Sequence, residues 1–174
     1  MEIIKDTNRP VRRAAFGTMA ALALLVGFAP NATATATAKR TPTVNATLIE
    51  YKVKLKPATV SAPAGKVKLV AKNKGTMTHE VIVVRAADAA ALPVDAEGSV
   101  IEDEVGDEKP KIESESHSGG DHKDHFSVKA GKTKSAVFDL TPGTYVVFCN
   151  VNQDVGNTKI SHFKQGQHAV LTVK

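Results

Sequence analysis

Tryptophan is absent, and Cys149 is the only cysteine among 174 residues. A lone thiol closes no internal disulfide, so the sulfur is a buried bystander, an intermolecular link or a metal ligand. Arginine is nearly missing after the N-terminal segment, where only Arg40 and Arg85 follow residue 38. Without clustered Arg and aromatic side chains, a nucleic-acid surface is not expected. The apolar run from Ala14 to Pro30 is short for a spanning helix. No membrane span is therefore expected in the mature form. Aromatic residues number only eight, six Phe and two Tyr, so a core has to be built from β-branched and aliphatic side chains.

What is present begins with an N-terminal address. Lys5, Arg9, Arg12 and Arg13 precede the weakly charged run that holds Leu22, Leu24, Leu25, Val26 and Phe28, and a Thr/Ala stretch from Asn31 to Ala38 offers small-x-small cleavage sites. That is the layout of a secretory signal over residues 1–38, and it predicts a periplasmic or extracellular protein. Arg12-Arg13 resembles a twin-arginine signal only in part, because Phe16 stands one place late. Removing 38 of 174 residues leaves 136, enough for one domain with one core. The removed segment carries four basic and two acidic side chains, so the net charge falls from +5 to +3.

Residues 39–174 divide by composition. Alternation in Tyr51-Lys52-Val53-Lys54-Leu55-Lys56 and in Lys66-Val67-Lys68-Leu69-Val70 predicts strands with one wet face, and Val81-Ile82-Val83-Val84 predicts an interior strand. Pro57, Pro63-Ala64-Gly65 and Asn73-Lys74-Gly75 punctuate them as turns. A short helix is expected within Ala86 to Leu92. Asp95 to Asp124 then holds eleven Asp/Glu against three Lys, with few large apolar residues. Residues 95–125 are accordingly expected to be a flexible acidic insertion. His117, His122 and His125 lie within it and form a possible secondary metal site. Strands return at Lys134 to Leu140, Thr144 to Cys149 and Gln167 to Val173. Six or seven short strands with Gly/Pro turns and no long helix predict an all-β, Greek-key β-sandwich.

On that frame His79 starts one strand, Cys149 ends another, and His162 and Gln167 bracket the entry to the last. Strand ends meet at the poles of a sandwich, so these residues can converge. Two imidazoles and a thiolate form a trigonal set suited to copper, with a weak axial group such as Met or Gln. At Asn73-x-Gly75-x-x-x-His79-Glu80-Val81, Pro142-Gly143-x-Tyr145-x-x-x-Cys149 and His162-Phe163-x-x-Gly166-Gln167 the chain resembles the cupredoxins, the small blue copper proteins. The resemblance implies one copper ion, cycling between Cu(I) and Cu(II), held by His79, Cys149 and His162. It also implies an axial position at Gln167, five residues after the second His.

Two departures from the family pattern matter. Gln stands where Met is common, as in the stellacyanin-like branch, and an oxygen donor favours Cu(II), so a lower potential is expected. Twelve residues, Asn150 to Ser161, separate Cys149 from His162, where compact members use two to four. Closure entropy grows slowly with length, so the longer loop still returns His162. Such a loop exposes the metal, admits another ligand such as His168, or builds a docking surface. By alternation His168 points away from Gln167. Met77 is read as turn packing.

The leading function is therefore non-enzymatic one-electron transfer by an exported monomer. The acidic loop would steer a redox partner such as a cytochrome by charge. Copper transport, storage or delivery is the alternative, and a metal-free adhesive sandwich is a third. A Cys-His nucleophile is poorly supported, because Cys149 ends a buried strand rather than facing an activating helix N-terminus.

Overall fold

A computed structural model of the protein describes residues 40–62, 65–115 and 125–174. The segment 1–38 read as a secretory signal lies outside them, as do His117 and His122. Among the described residues no helix is long and apolar enough to cross a membrane.

Two five-stranded sheets face each other. The first has strand order β2-β1-β4-β8-β6, from Lys52–Lys56, Thr43–Ile49, Lys66–Asn73, Thr133–Asp139 and Ile112–Glu115. The second runs β3-β12-β9-β5-β7, from Thr59–Val60, His168–Val173, Gly143–Phe148, His79–Arg85 and His125–Val128. A separate hairpin pairs β10 (Asn152–Val155) with β11 (Thr158–Ser161). The pairing is mixed: β1 with β4 and β3 with β12 are parallel, the other strand pairs antiparallel. The expected all-β sandwich is present, with more strands than the periodicity predicts. β3, β6, β7 and the hairpin span only two to four residues each, too short to leave a periodic signature.

Alternation decides which side chains meet. Val44, Ala46 and Leu48 of β1 and Val67, Leu69 and Ala71 of β4 are buried toward the second sheet, while Lys66, Lys68 and Lys72 stay wet. From the second sheet Val81, Val83, Tyr145, Val147, Leu171 and Val173 complete this core. The opposite face of that sheet is also covered, which explains why β5 reads as continuously apolar. Ile82, Val84, Val146 and Phe148 pack there against Leu92, Val100, Val105 and Phe163.

This second cluster accounts for a difference from expectation in the acidic segment. Within 95–115 the chain is tied to the body: Val94 bridges Val100, Glu102–Glu108 forms a 3-10 helix, and β6 pairs with β8. Val100 and Val105 supply the apolar anchors, and Asn150 bonds the Val100 N–H and carbonyl. Two well-placed valines offset ordering that average composition would forbid. The helix expected within Ala86 to Leu92 is a single 3-10 turn, Ala89–Ala91, capped by Asp88.

Candidate metal centre

Neighbouring strand ends carry the candidate residues to one pole. In the second sheet Phe148 pairs with both Ile82 and His168, so β9 lies between β5 and β12. Val81 and Val83, Tyr145 and Val147, and Leu171 and Val173 all face the inter-sheet space, as do the side chains in step with them at period two. Period two therefore places His79, Cys149 and Gln167 on that same inner side, one layer beyond the apolar core. His168, one residue off, faces the opposite side, where its ring lies 5.2 Å from Phe163 at an interplanar angle of 44°. His162 follows β11, and its N–H donates to the Val151 carbonyl at 3.0 Å.

The ligating atoms of His79, Cys149 and His162 all lie within 4.8 Å of one another, and all three residues are buried. Among the described residues no other such group of His, Cys, Asp or Glu is found. Cys149 Sγ stands 3.8 Å from His79 Nδ1 and 3.6 Å from His162 Nδ1. Metal bonds of about 2.0 Å to nitrogen and 2.3 Å to sulfur put the N···S edge at about 3.5 Å for a tetrahedral angle and 3.7 Å for a trigonal one. Both separations match that edge. The donor set and its spacing thus fit a single soft or borderline ion.

Gln167 adjoins the group in a particular orientation. Its Nε2 donates to the Ile49 carbonyl at 2.8 Å and lies 3.1 Å from His79 Nδ1, while Oε1 is buried with no hydrogen-bond partner. An amide nitrogen has no lone pair to give a metal. The oxygen is the atom able to serve axially, and it is the one left unsatisfied.

Local structure holds the His79 approach. Asn73, fully buried at the end of β4, donates to the carbonyls of Met77 at 2.7 Å and Val128 at 2.8 Å, and its Oδ1 accepts the Gly75 N–H at 2.8 Å. Met77 thus enters this network through its backbone carbonyl. Replacing Asn73 by Ala removes all three of these bonds at a fully buried position, and we expect a loss of about 1–3 kcal/mol in urea unfolding. No change in the denaturant slope should accompany it.

Sequence reasoning missed the turn between β1 and β2, Glu50-Tyr51, which walls the pole from the opposite sheet. Besides the Ile49 carbonyl, it brings Glu50 Oε1 to 3.8 Å from His79 Nε2 and sets the Tyr51 ring edge-on to His162 at 5.5 Å. Tyr51 has φ +60°, unusual for a bulky residue, and its hydroxyl donates to Gln153 Oε1 of β10 at 3.3 Å. The turn holds neither Gly nor Asn, so the usual sequence signal of a two-residue hairpin between Ile49 and Lys52 is missing. The twelve-residue Cys-to-His loop folds as the β10–β11 hairpin, and His162 is fully buried rather than exposed.

Electrostatics follow from this burial. Both His79 and His162 are held below the ordinary imidazole pKa, each chiefly by loss of hydration, with the His162 charge adding to the effect at His79. Burial pushes the Cys149 thiol up to about 11, against the lowering influence of the Glu80 N–H that donates to Sγ at 3.3 Å. Backbone and hydroxyl donors of Thr76 hold Glu50 down to about 2. Burial also lowers His168. For the two central histidines the sign is clear: the unfolded chain binds protons near pH 6.5 that the folded chain refuses. Stability is full above that value and falls as pH drops below it. Thermal unfolding of the metal-free protein between pH 7.5 and 5 should show the midpoint descending.

No family model matches the chain, and no curated protein matches it. Solved structures that do match include a dithionite-reduced auracyanin from the photosynthetic bacterium Roseiflexus castenholzii, at 20% identity and TM-score 0.45, covering 78% of this chain and 99% of that one. An azurin from the methylotroph Methylomonas sp. strain J matches at 16% identity and TM-score 0.43, over 78% of this chain and 99% of that one. A multi-copper oxidase from Pediococcus acidilactici matches at 9% identity and TM-score 0.43, over 79% of this chain but 27% of that one. The two-sheet sandwich and the buried His-Cys-His cluster at its pole bear out the resemblance to the cupredoxins carried by the sequence motifs.

Proposed function

We propose that this chain is an exported mononuclear copper protein that carries single electrons, with His79, Cys149 and His162 as ligands and Gln167 at the axial position. The observation that supports it is the pair of Nδ1 atoms 3.8 Å and 3.6 Å from one buried sulfur. When bound, copper supplies the one-electron couple, which a thiolate and two imidazoles accommodate in both oxidation states. The chain supplies the rest. Full burial of all three side chains keeps water from adding to the ligand set, and the Glu80 N–H offers the sulfur a charge-stabilising donor. The backbone bond from Cys149 N–H to the Gln167 carbonyl ties two strand ends together, which limits rearrangement between states.

Loading must displace the Cys149 proton, because burial pushes the thiol up to about 11 while it holds both histidines below their ordinary value and so neutral at pH 7.5. One proton should therefore be released per copper between pH 7 and 8, and apparent affinity should rise about tenfold per pH unit there. Calorimetric titration in buffers of different ionisation enthalpy measures that stoichiometry. The visible and EPR spectra of the Cu(II)-loaded protein test the function itself. An intense thiolate-to-copper band is expected, and its absence would sink the proposal.

Burial of every ligand weighs against copper delivery, which requires ligand exchange with a receiving protein. Export rests on the composition of residues 1–38. A redox partner such as a cytochrome would be drawn by charge, since Asp103, Glu104, Asp107 and Glu108 are exposed on the outer side of the second sheet. A single centre suits a carrier acting as a monomer rather than an enzyme.

A further inference from the structure

His79 Nε2 is fully buried and has no hydrogen-bond partner. A neutral imidazole carries one ring proton, so if Nδ1 gives its lone pair to the ion the proton stands on Nε2. That makes Nε2 a donor in need of an acceptor. The carboxylate of Glu50 is 3.8 Å away, and Oε1 is held in place by the Thr76 N–H and by Thr76 Oγ1 at 3.1 Å. Gly75 keeps the gap between them open. A Cβ there would overlap Glu50 Oε1 and come within 2.8 Å of His79 Nε2. Gly75 is not in the left-handed region, so its lack of a side chain serves this close approach rather than a turn.

We propose that Glu50 is the positioning carboxylate of the centre, accepting the Nε2 proton of His79 so that Nδ1 faces the ion, and biasing the couple toward Cu(II). The inference rests on the copper reading above and adds to it a residue outside the ligand set. A carboxylate behind a ligating imidazole fixes ring orientation and raises ligand basicity. Its negative charge, one imidazole from the ion, stabilises the state of higher charge more.

Glu50→Gln keeps the shape and removes the charge. Copper-loaded Glu50→Gln should retain the thiolate-to-copper band while its preference for Cu(II) over Cu(I) falls about tenfold, a rise in potential of about 59 mV. Gly75→Ala, which wedges the pair apart, should shift the potential in the same direction, and add little in the Glu50→Gln background. In the diamagnetic Cu(I) form, the His79 Nε2 proton should give a slowly exchanging NMR resonance that moves upfield in Glu50→Gln. A normal band with unmoved potential and unmoved resonance in Glu50→Gln would overturn the role of Glu50 alone. If Glu50→Gln does not fold, an unmoved potential in Gly75→Ala overturns it equally. A wild-type protein without the band would remove the copper reading and this inference together.

Discussion

Cys149→Ser should abolish the thiolate-to-copper absorption completely while leaving the sandwich folded. The sulfur is the only soft donor in the cluster, and no second cysteine can replace it. Among the described residues it is also the free thiol. Serine is close in volume, and its oxygen can accept the Glu80 N–H now donated to Sγ at 3.3 Å. Burying a hydroxyl where a thiol stood costs about 1–3 kcal/mol, too little to unfold a domain of ordinary stability. Loss of a ligand is far more damaging than loss of an outer partner, which alone costs about 10–100-fold in metal affinity. Circular dichroism reports the fold and copper competition the affinity. A coloured Cys149→Ser protein would place the charge-transfer ligand elsewhere.

Gln167→Met should raise the reduction potential with the band retained. The amide sits 3.1 Å from His79 Nδ1, so the group that replaces it lies beside the ion. A thioether is soft and weakly donating, and it favours Cu(I), whereas an amide oxygen favours Cu(II). A hundredfold change in the relative affinity of the two states corresponds to about 120 mV for one electron, and a shift of that order is expected. The substitution also removes the 2.8 Å bond to the Ile49 carbonyl. One buried hydrogen bond is lost with it, so stability should fall by about 1 kcal/mol. Voltammetry and urea unfolding of the same sample separate the two effects. An unchanged potential would show that residue 167 acts on the fold and not on the ion.

His79, Cys149 and Gln167 were legible because each lies at the end of a strand with a readable pattern, whereas His162 follows the short β11 and was legible only through the motif His162-Phe163-x-x-Gly166-Gln167. Once Val81 and Val83 are known to face inward, His79 must do so as well, and the same parity carries Cys149 from Val147 and Gln167 from Leu171. It equally turns His168 outward, toward Phe163. Less legible was the anchoring of residues 95–115. Two buried valines in an acidic stretch have no periodicity, and their value depends on Phe148 and Phe163, which stand far along the chain.

Three things, then, were determined by the chain's own order of residues: strands of period two, turns at Gly and Pro, and His79, Cys149, His162 and Gln167 placed at strand ends. Covalent spacing and side-chain parity act locally, so they can be read from a linear string. Only the tertiary structure decided that the long Cys-to-His loop closes over the pole as a hairpin, that the Gln167 nitrogen rather than its oxygen meets His79, and that Glu50 and Tyr51 wall the site. Those contacts join the β1–β2 turn of one sheet to strand ends of the other. Contacts of that kind arise from how two twisted sheets are stacked, and no local pattern encodes which turn comes to lie over which strand end.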